Sequence, residues 1–250
     1  MTMLIQTING RRFVVSGLLD SVGAVHAFGT IDAGGHAATA YPAIRAAHPS
    51  VTAIAAVHQE HGKVAVRPQP VDDLVALRGK SADIVVVRDA GLAACVRTAD
   101  CVPVLIFDPR RPAAAAVHSG WKGTVAKAPA EAVRILVEEF GASASELYAA
   151  IGPCIGPCHY QVDGPVIEGI EAALGPRAGE VLSPDGPGRA RLDLSLANRL
   201  VLEVVGLDPK KIDEARMCTF CRADLFYSYR RQGKGVPSLH HFIGLPEDRT

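Results

Sequence analysis

Short apolar runs closed by glycine, proline or charged residues recur along the chain, and their periodicity separates strands from helices. VTAIAAVHQEHGKVAV (51–66) and ADIVVVRDAGLAACVRTADC (82–101) are apolar at successive positions, which predicts strands buried on both faces. VPVLIF (102–107) and AAAAVH (113–118) flank the turn-rich DPRRP and predict a strand, a turn and a returning strand. Near the amino end, QTI and RRFVV surround Asn9-Gly10, a pair that favours a tight primed turn and so a hairpin. HAFGTIDAGGHAATAYPAIRAAHP reads as loop with a short helix. Helical spacing covers AKAPAEAVRILVEEF up to Gly141, GPVIEGIEAAL, and LDLSLANRLVLEVV up to Gly206. YAAIGPCIGPCHYQV reads as a strand and a tight loop, and ARMCTF and LFYSYRR as closing strands. Strands and helices alternate without the even rhythm of a doubly wound sheet. The predicted class is therefore α/β of the mixed α+β kind, a layered fold with mixed β-sheets flanked by helices.

The predicted hairpin carries chemistry at its open end. If Phe107 faces Pro112, index symmetry puts Cys101 opposite His118. Directly opposed side chains have Cβ atoms ~4.5–5.5 Å apart, close enough to share a metal ion or to act as a thiol and its base. A slip of one residue would put them on opposite faces. A catalytic zinc typically takes three protein ligands and a water, and VHQEHG offers His58 or His61 as the third. Residues three apart share a helix face but not a strand face. The strand reading thus admits only one of them, and Gly62, marking a close approach of backbone, favours His61.

Composition narrows the function further. The 250 residues suit one domain spanning 1–250, without internal repeat or low-complexity linker. With 26 basic and 26 acidic side chains the formal net charge is zero, which argues against a nucleic-acid partner held by bulk electrostatics. The start has no cationic segment followed by a long apolar one, and no run approaches the ~18 apolar residues of a membrane span. A soluble, cytoplasmic protein with no membrane partner is expected, and its six cysteines are then reduced thiols. Cys218-Thr-Phe-Cys221 lacks a second pair at zinc-ribbon spacing, so its thiols are assigned to the core.

QEHG, RTADCVPVLIFDP, AAVHSGWKGT, AIGPCIGPCHYQV, and CT followed by FYSYRR occur in the order of a known family. Over Ala53 to Arg231 the chain resembles the YfiH-like family, also called the laccase-domain, polyphenol-oxidase or peptidoglycan-editing-factor family. The resemblance implies a mixed layered fold, a zinc site of one cysteine and two histidines, and purine nucleoside phosphorylase and adenosine deaminase activities. By motif position the zinc ligands are His61, Cys101 and His118. The chain departs from the family pattern at Ile31, where an arginine is usual, and at Glu60, where QVHG is usual.

These parts suit the implied chemistry. Zinc lowers the pKa of bound water toward ~7, which suits attack at C6 of adenine. Asp100, beside Cys101, is the candidate proton carrier. Phosphorolysis needs an anion pocket, for which Ser119 and Lys122 in SGWKG, and one of Arg230 and Arg231, are the candidates. Trp121 can stack a purine. The expected partners are a purine nucleoside and phosphate. Three rival readings remain. A multicopper oxidase would need His-x-His pairs, and none of the nine histidines forms one. A metal-free hydrolase would use Cys101 as catalytic nucleophile and His118 as base, with Arg97 favouring the thiolate. A peptidoglycan-precursor editing protein would hold its metal as a structural ion.

Overall fold

Strands that are apolar at every position need a core on each side. The computed structural model, which describes residues 3–69 and 74–246, provides one on each side. The first sheet runs β1 (Met3–Ile8), β2 (Arg11–Ser16), β3 (Val25–Gly29), β15 (Leu239–Gly244), β7 (Leu92–Thr98) and β4 (Ala53–Ala55). The second runs β14 (Ile212–Glu214), β10 (Tyr148–Ile151), β8 (Val102–Asp108), β9 (Ala113–Ser119), β6 (Ile84–Val87) and β5 (Ala65–Val66). A small third sheet joins β11 (Gln161–Asp163), β13 (Arg189–Leu192) and β12 (Leu182–Pro184). Both large sheets are mixed, since β4 pairs with β7, β5 with β6 and β10 with β14 in parallel among antiparallel neighbours.

Strand alternation explains the layers. On β8, Leu105 and Phe107 turn toward the first sheet, meeting Val14, Phe28, Val96 and Ile243 in one core. Val102, Val104 and Ile106 turn the other way, onto α5 (Ala128–Phe140), α6 (Gly164–Leu174) and α7 (Leu194–Val204). The outer face of the first sheet packs Phe13, Ala93 and Phe242 against Tyr41 and Ile44 of α2 (Ala37–Ala47). The order is helix, sheet, sheet, helices, the mixed layered class expected from the sequence. Single turns of helix complete the chain: α1 (Gly17–Ser21), α3 (Leu74–Leu77), α4 (Trp121–Val125) and α8 (Tyr229–Gln232).

Several local expectations hold. Asn9 and Gly10 take φ of 50° and 74° and close the β1–β2 hairpin with Ile8 paired to Arg11. Gly141 caps α5 in the left-handed region. Others need correction. The segment taken as loop after Val25 contains β3, because its small residues pack under the first sheet's helix. Residues 51–66 form only the short β4 and β5, with a turn between them. ARMCTF and LFYSYRR are not strands; the second leads into α8, capped by the Ser228 hydroxyl, so Arg230 and Arg231 lie on a helical turn. In the β8–β9 hairpin Pro103, not Cys101, pairs with His118, a shift of two from the symmetric register. The Asp108 carboxylate accepts the N–H groups of Arg110 and Arg111, and with Asp108 itself paired to Ala113 the turn falls one residue later than the symmetric reading places it.

Two adjacent histidines of β15 are carried inside. Burial holds the His240 imidazole down at about 4, helped by the nearby charge of Arg97, and burial also lowers the fully buried His241 well below its ordinary value. The folded chain therefore keeps His240 neutral, whereas an unfolded chain protonates it near ~6.5. This stability is whole above the unfolded value and is lost as pH falls through the folded one. Chemical denaturation from pH 7 to 4 should show a steeper loss in the natural chain than in His240→Phe, the difference reaching roughly 3 kcal/mol. Parallel pH profiles for the two chains would contradict this account.

Candidate metal centre

The site is built around a buried carboxylate. Asp83 stands immediately before β6, and its carboxylate accepts the N–H groups of Glu60 (3.3 Å), His61 (2.9 Å) and Gly62 (2.6 Å). Three successive amides on one anion curl this segment into a turn, in which His61 takes φ 64°. The same carboxylate meets His118 Nδ1 at 2.7 Å, and the Asp83 carbonyl accepts the His118 N–H at 2.8 Å. With Nδ1 donating to Asp83, the neutral His118 imidazole presents its Nε2 lone pair for ligation. Burial raises the Asp83 carboxyl, but the His118 bond and the backbone donors outweigh it and hold it below the usual carboxylate range.

His61, Cys101 and His118 converge here, their ligating atoms all within 4.8 Å of one another. The two imidazole rings meet edge to face, 4.9 Å between centroids. The two-residue shift in the hairpin leaves Cys101 and His118 on the same face, because side chains alternate with a period of two. Gly120 takes the place facing Cys101. A Cβ there would lie 2.8 Å from Cys101 Sγ and 3.3 Å from His61 Cδ2, so the missing side chain makes room for the cluster. Burial pushes the Cys101 thiol up, yet hydrogen bonds and charge from His118 and His61 bring it to about 7. Burial pushes His118 down, and Asp83 and Cys101 raise it to about 9. One thiol that ionises near neutrality and two imidazoles, one backed by a carboxylate, fit zinc with a coordination position left for substrate or water.

His58 does not join them. It is exposed and bridges Ser81, and the turn at 60–62, rather than strand alternation, separates it from His61. The Glu60 carboxylate turns away to the Ser81 hydroxyl, 2.6 Å distant.

A cleft of about 750 Å³ opens over the cluster, walled by Gln59, Arg97, Trp121, Tyr160, Tyr229 and Arg230. Asp100 borders it with φ 92°, a strained backbone that aims the next residue, Cys101. Its carboxylate accepts the hydroxyls of Thr219 (2.5 Å) and Ser228 (3.0 Å) and the Arg230 N–H (2.7 Å). With both oxygens so engaged, Asp100 suits positioning better than the proton transfer expected from its place in the sequence. Ser119 is buried with its hydroxyl 3.2 Å from that of Thr124, and Lys122 lies over the Trp121 ring; neither borders the cleft. Arg230 does border it, over the Tyr160 ring, while Arg231 is spent on the carbonyls of Thr219, Phe220 and Phe226. Among the described residues neither Arg97 nor Arg230 is paired with a carboxylate. Asp83, Tyr160 and Tyr229 are the site residues that sequence reasoning missed. For Asp83 a signal was present: one acid directly ahead of the wholly apolar IVVV.

A family model described as multi-copper polyphenol oxidoreductase laccase matches residues 31–245. The chain is 34% identical over 151 residues to the purine nucleoside phosphorylase of Bacteroides thetaiotaomicron, covering 60% of this chain and 56% of that protein. It is also 34% identical over 163 residues to adenosine deaminase RL5 of an unknown prokaryotic organism, covering 65% and 61%. The matched segments thus span less than two thirds of these relatives. The solved structure of Bacillus licheniformis YfiH superposes with a TM-score of 0.86 at 24% identity, covering 97% of this chain and 99% of that one, which bears on the fold.

Three substitutions test the geometry of the centre. Asp83→Asn should weaken zinc binding about ten- to a hundredfold, and Gly120→Ala should displace Cys101 and empty the site while circular dichroism stays native. His58→Ala should leave zinc affinity unchanged. Calorimetric zinc titration of the three variants reads all of this, and undiminished affinity in Asp83→Asn would remove the role given to that carboxylate.

Proposed function

The chain belongs to the multi-copper polyphenol oxidoreductase laccase family, and from that membership and the shape of the cleft we propose that it is a zinc-dependent purine nucleoside phosphorylase acting on adenosine and inosine, which also deaminates adenosine. The observation that carries this reading is a three-donor Cys/His centre at the floor of a cleft of about 750 Å³, a size suited to a small ligand. Relatives named as a phosphorylase and as an adenosine deaminase support both reactions. Zinc fits the donors better than a set of coppers, since the chain has no His-x-His pair.

Held by His61, Cys101 and His118, zinc supplies Lewis acidity and activation of water near neutral pH. The chain's own residues do the rest. Trp121 and Tyr160 offer flat faces for a purine, and Arg97 and Arg230 offer guanidinium groups for phosphate. This assigns the anion to the arginines rather than to Ser119 and Lys122. In phosphorolysis a phosphate oxygen bonds to C1′ of the ribose as the C1′–N9 bond breaks, and the purine leaves with a proton. In deamination water adds at C6 of adenine and ammonia leaves. Asp83 keeps His118 in one tautomer and orientation throughout, and Asp100 fixes the approach of Cys101. The reading includes a cytoplasmic location, where thiols stay reduced. Among the described residues no helix is long and apolar enough to cross a membrane.

A second reading, a metal-free thiol hydrolase, is favoured by the depressed Cys101 thiol beside the raised His118. One set of assays separates the two. Incubated with inosine, the zinc-loaded protein should release ribose 1-phosphate only when phosphate is present, and chelation should abolish the release. Arg230→Gln should raise the KM for phosphate about ten- to a hundredfold, whereas Lys122→Ala should leave it within about twofold. Turnover that survives complete zinc removal would exclude the metal-dependent reading and favour the thiol.

A further inference from the structure

A second group of metal-ligating side chains lies beside the cleft. Cys158 and His159 come from the loop between β10 and β11, and Cys218 and Cys221 from the segment between β14 and α8. From the sequence, Cys218 and Cys221 are assigned to the core. Instead Cys158 and Cys221 are exposed and Cys218 half-buried, because the 218–221 segment turns at the surface instead of running on as a strand. Cys158 Sγ lies 3.6 Å from Cys221 Sγ, and Cys221 Sγ lies 3.3 Å from His159 Nδ1. All four donor atoms fall within 4.8 Å of one another. A tetrahedron with arms of ~2.3 Å to sulfur and ~2.0 Å to nitrogen has edges of about 3.5–3.8 Å, so the four donors already surround the space of one ion.

Three further features prepare that space. The Gly156 N–H donates to Cys218 Sγ at 3.3 Å, a bond that suits a thiolate. A Cβ on Gly156 would come within 3.2 Å of Cys218 Cβ and 3.3 Å of Cys158 Sγ, so a side chain there would crowd the thiols. The His159 ring stacks on Phe220, centroids 4.0 Å apart, which orients Nδ1 toward the sulfurs. Three thiols cannot all be consumed by one disulfide, and a histidine has no place in one. A closed set of three sulfurs and one nitrogen is a donor set for structural zinc.

We propose that Cys158, His159, Cys218 and Cys221 bind one structural zinc ion that ties the 156–159 loop to the 218–221 turn. The tie bears on the cleft. Thr219, within the turn, donates to Asp100, and its own N–H donates to the Cys154 carbonyl at 2.9 Å. Tyr160 and Arg230, which wall the cleft, adjoin the loop, Arg230 through a bond to the His159 carbonyl at 3.3 Å.

Elemental analysis of protein purified with reductant should find about two zinc ions per chain, about one in Cys101→Ser and none in the double variant Cys101→Ser/Cys221→Ser. In the natural chain, zinc X-ray absorption should give about two sulfur neighbours per zinc averaged over the sites, against about one if only the first is filled. The second measurement needs no variant to fold. Zinc absent from Cys101→Ser, a single-sulfur average in the natural chain, or a Cys158–Cys221 disulfide found by mass in reductant would each overturn the proposal. None of these outcomes decides the proposed nucleoside reaction, which rests on the first site.

Discussion

A buried anion must find donors or it destabilises the fold, and Asp83 finds four at once. Its carboxylate takes the amides of Glu60, His61 and Gly62 and the His118 ring, joining the 60–62 turn to the end of β9. The pieces are far apart in sequence, and one charge brings them into a fixed relation. His61 accepts a left-handed backbone there because three hydrogen bonds to a charged group exceed the cost of that conformation, about 1–3 kcal/mol. The rest of the site follows: with His61 and His118 set, the opening of β8 has only to deliver Cys101.

That delivery depends on a second strained residue. Asp100 holds φ 92° and is itself an anion satisfied by Thr219, Ser228 and the Arg230 amide. Two carboxylates thus do similar work on the two sides of the cluster. Asp83 fixes the histidines, and Asp100 fixes the cysteine and draws the carboxyl-terminal segments over the cleft. Arg230 borders the cleft and donates to the carbonyls of His159 and Gln161, while its neighbour Arg231 closes those of Thr219, Phe220 and Phe226.

Much of this was legible in the sequence, for stateable reasons. Strands apolar at every position announce a core on both sides, and the β8–β9 hairpin with its end groups follows from two apolar runs around a proline-rich turn. Period-two geometry even forgave the wrong register, since a shift of two leaves Cys101 and His118 on one face. The reason given for His61 over His58 was a strand, and the reason observed is a turn pinned by Asp83. Such long-range hydrogen bonds leave no local pattern. For the same reason Cys218 and Cys221 looked solitary, as their partners Cys158 and His159 lie some sixty positions away. A glycine-rich lead into a helix implies an open amino end, but α4 is a single turn at which the Ser119 and Thr124 hydroxyls meet each other, with Lys122 over the Trp121 ring, so neither Ser119 nor Lys122 borders the cleft.

The alanine row of β9 sets a limit on how this fold can diversify. Ala114 and Ala116 face the first sheet and Ala113 and Ala115 face the helices, all essentially without solvent contact. Enlarging any of them would press apart layers packed to near-crystalline density, at about 1–3 kcal/mol each. The strand that carries His118 is therefore almost closed to variation. Variation in the cleft is left to the side chains of Tyr160, Tyr229 and Arg230, whose segments lie outside the two large sheets, while the backbone at Arg230 stays tied to Asp100.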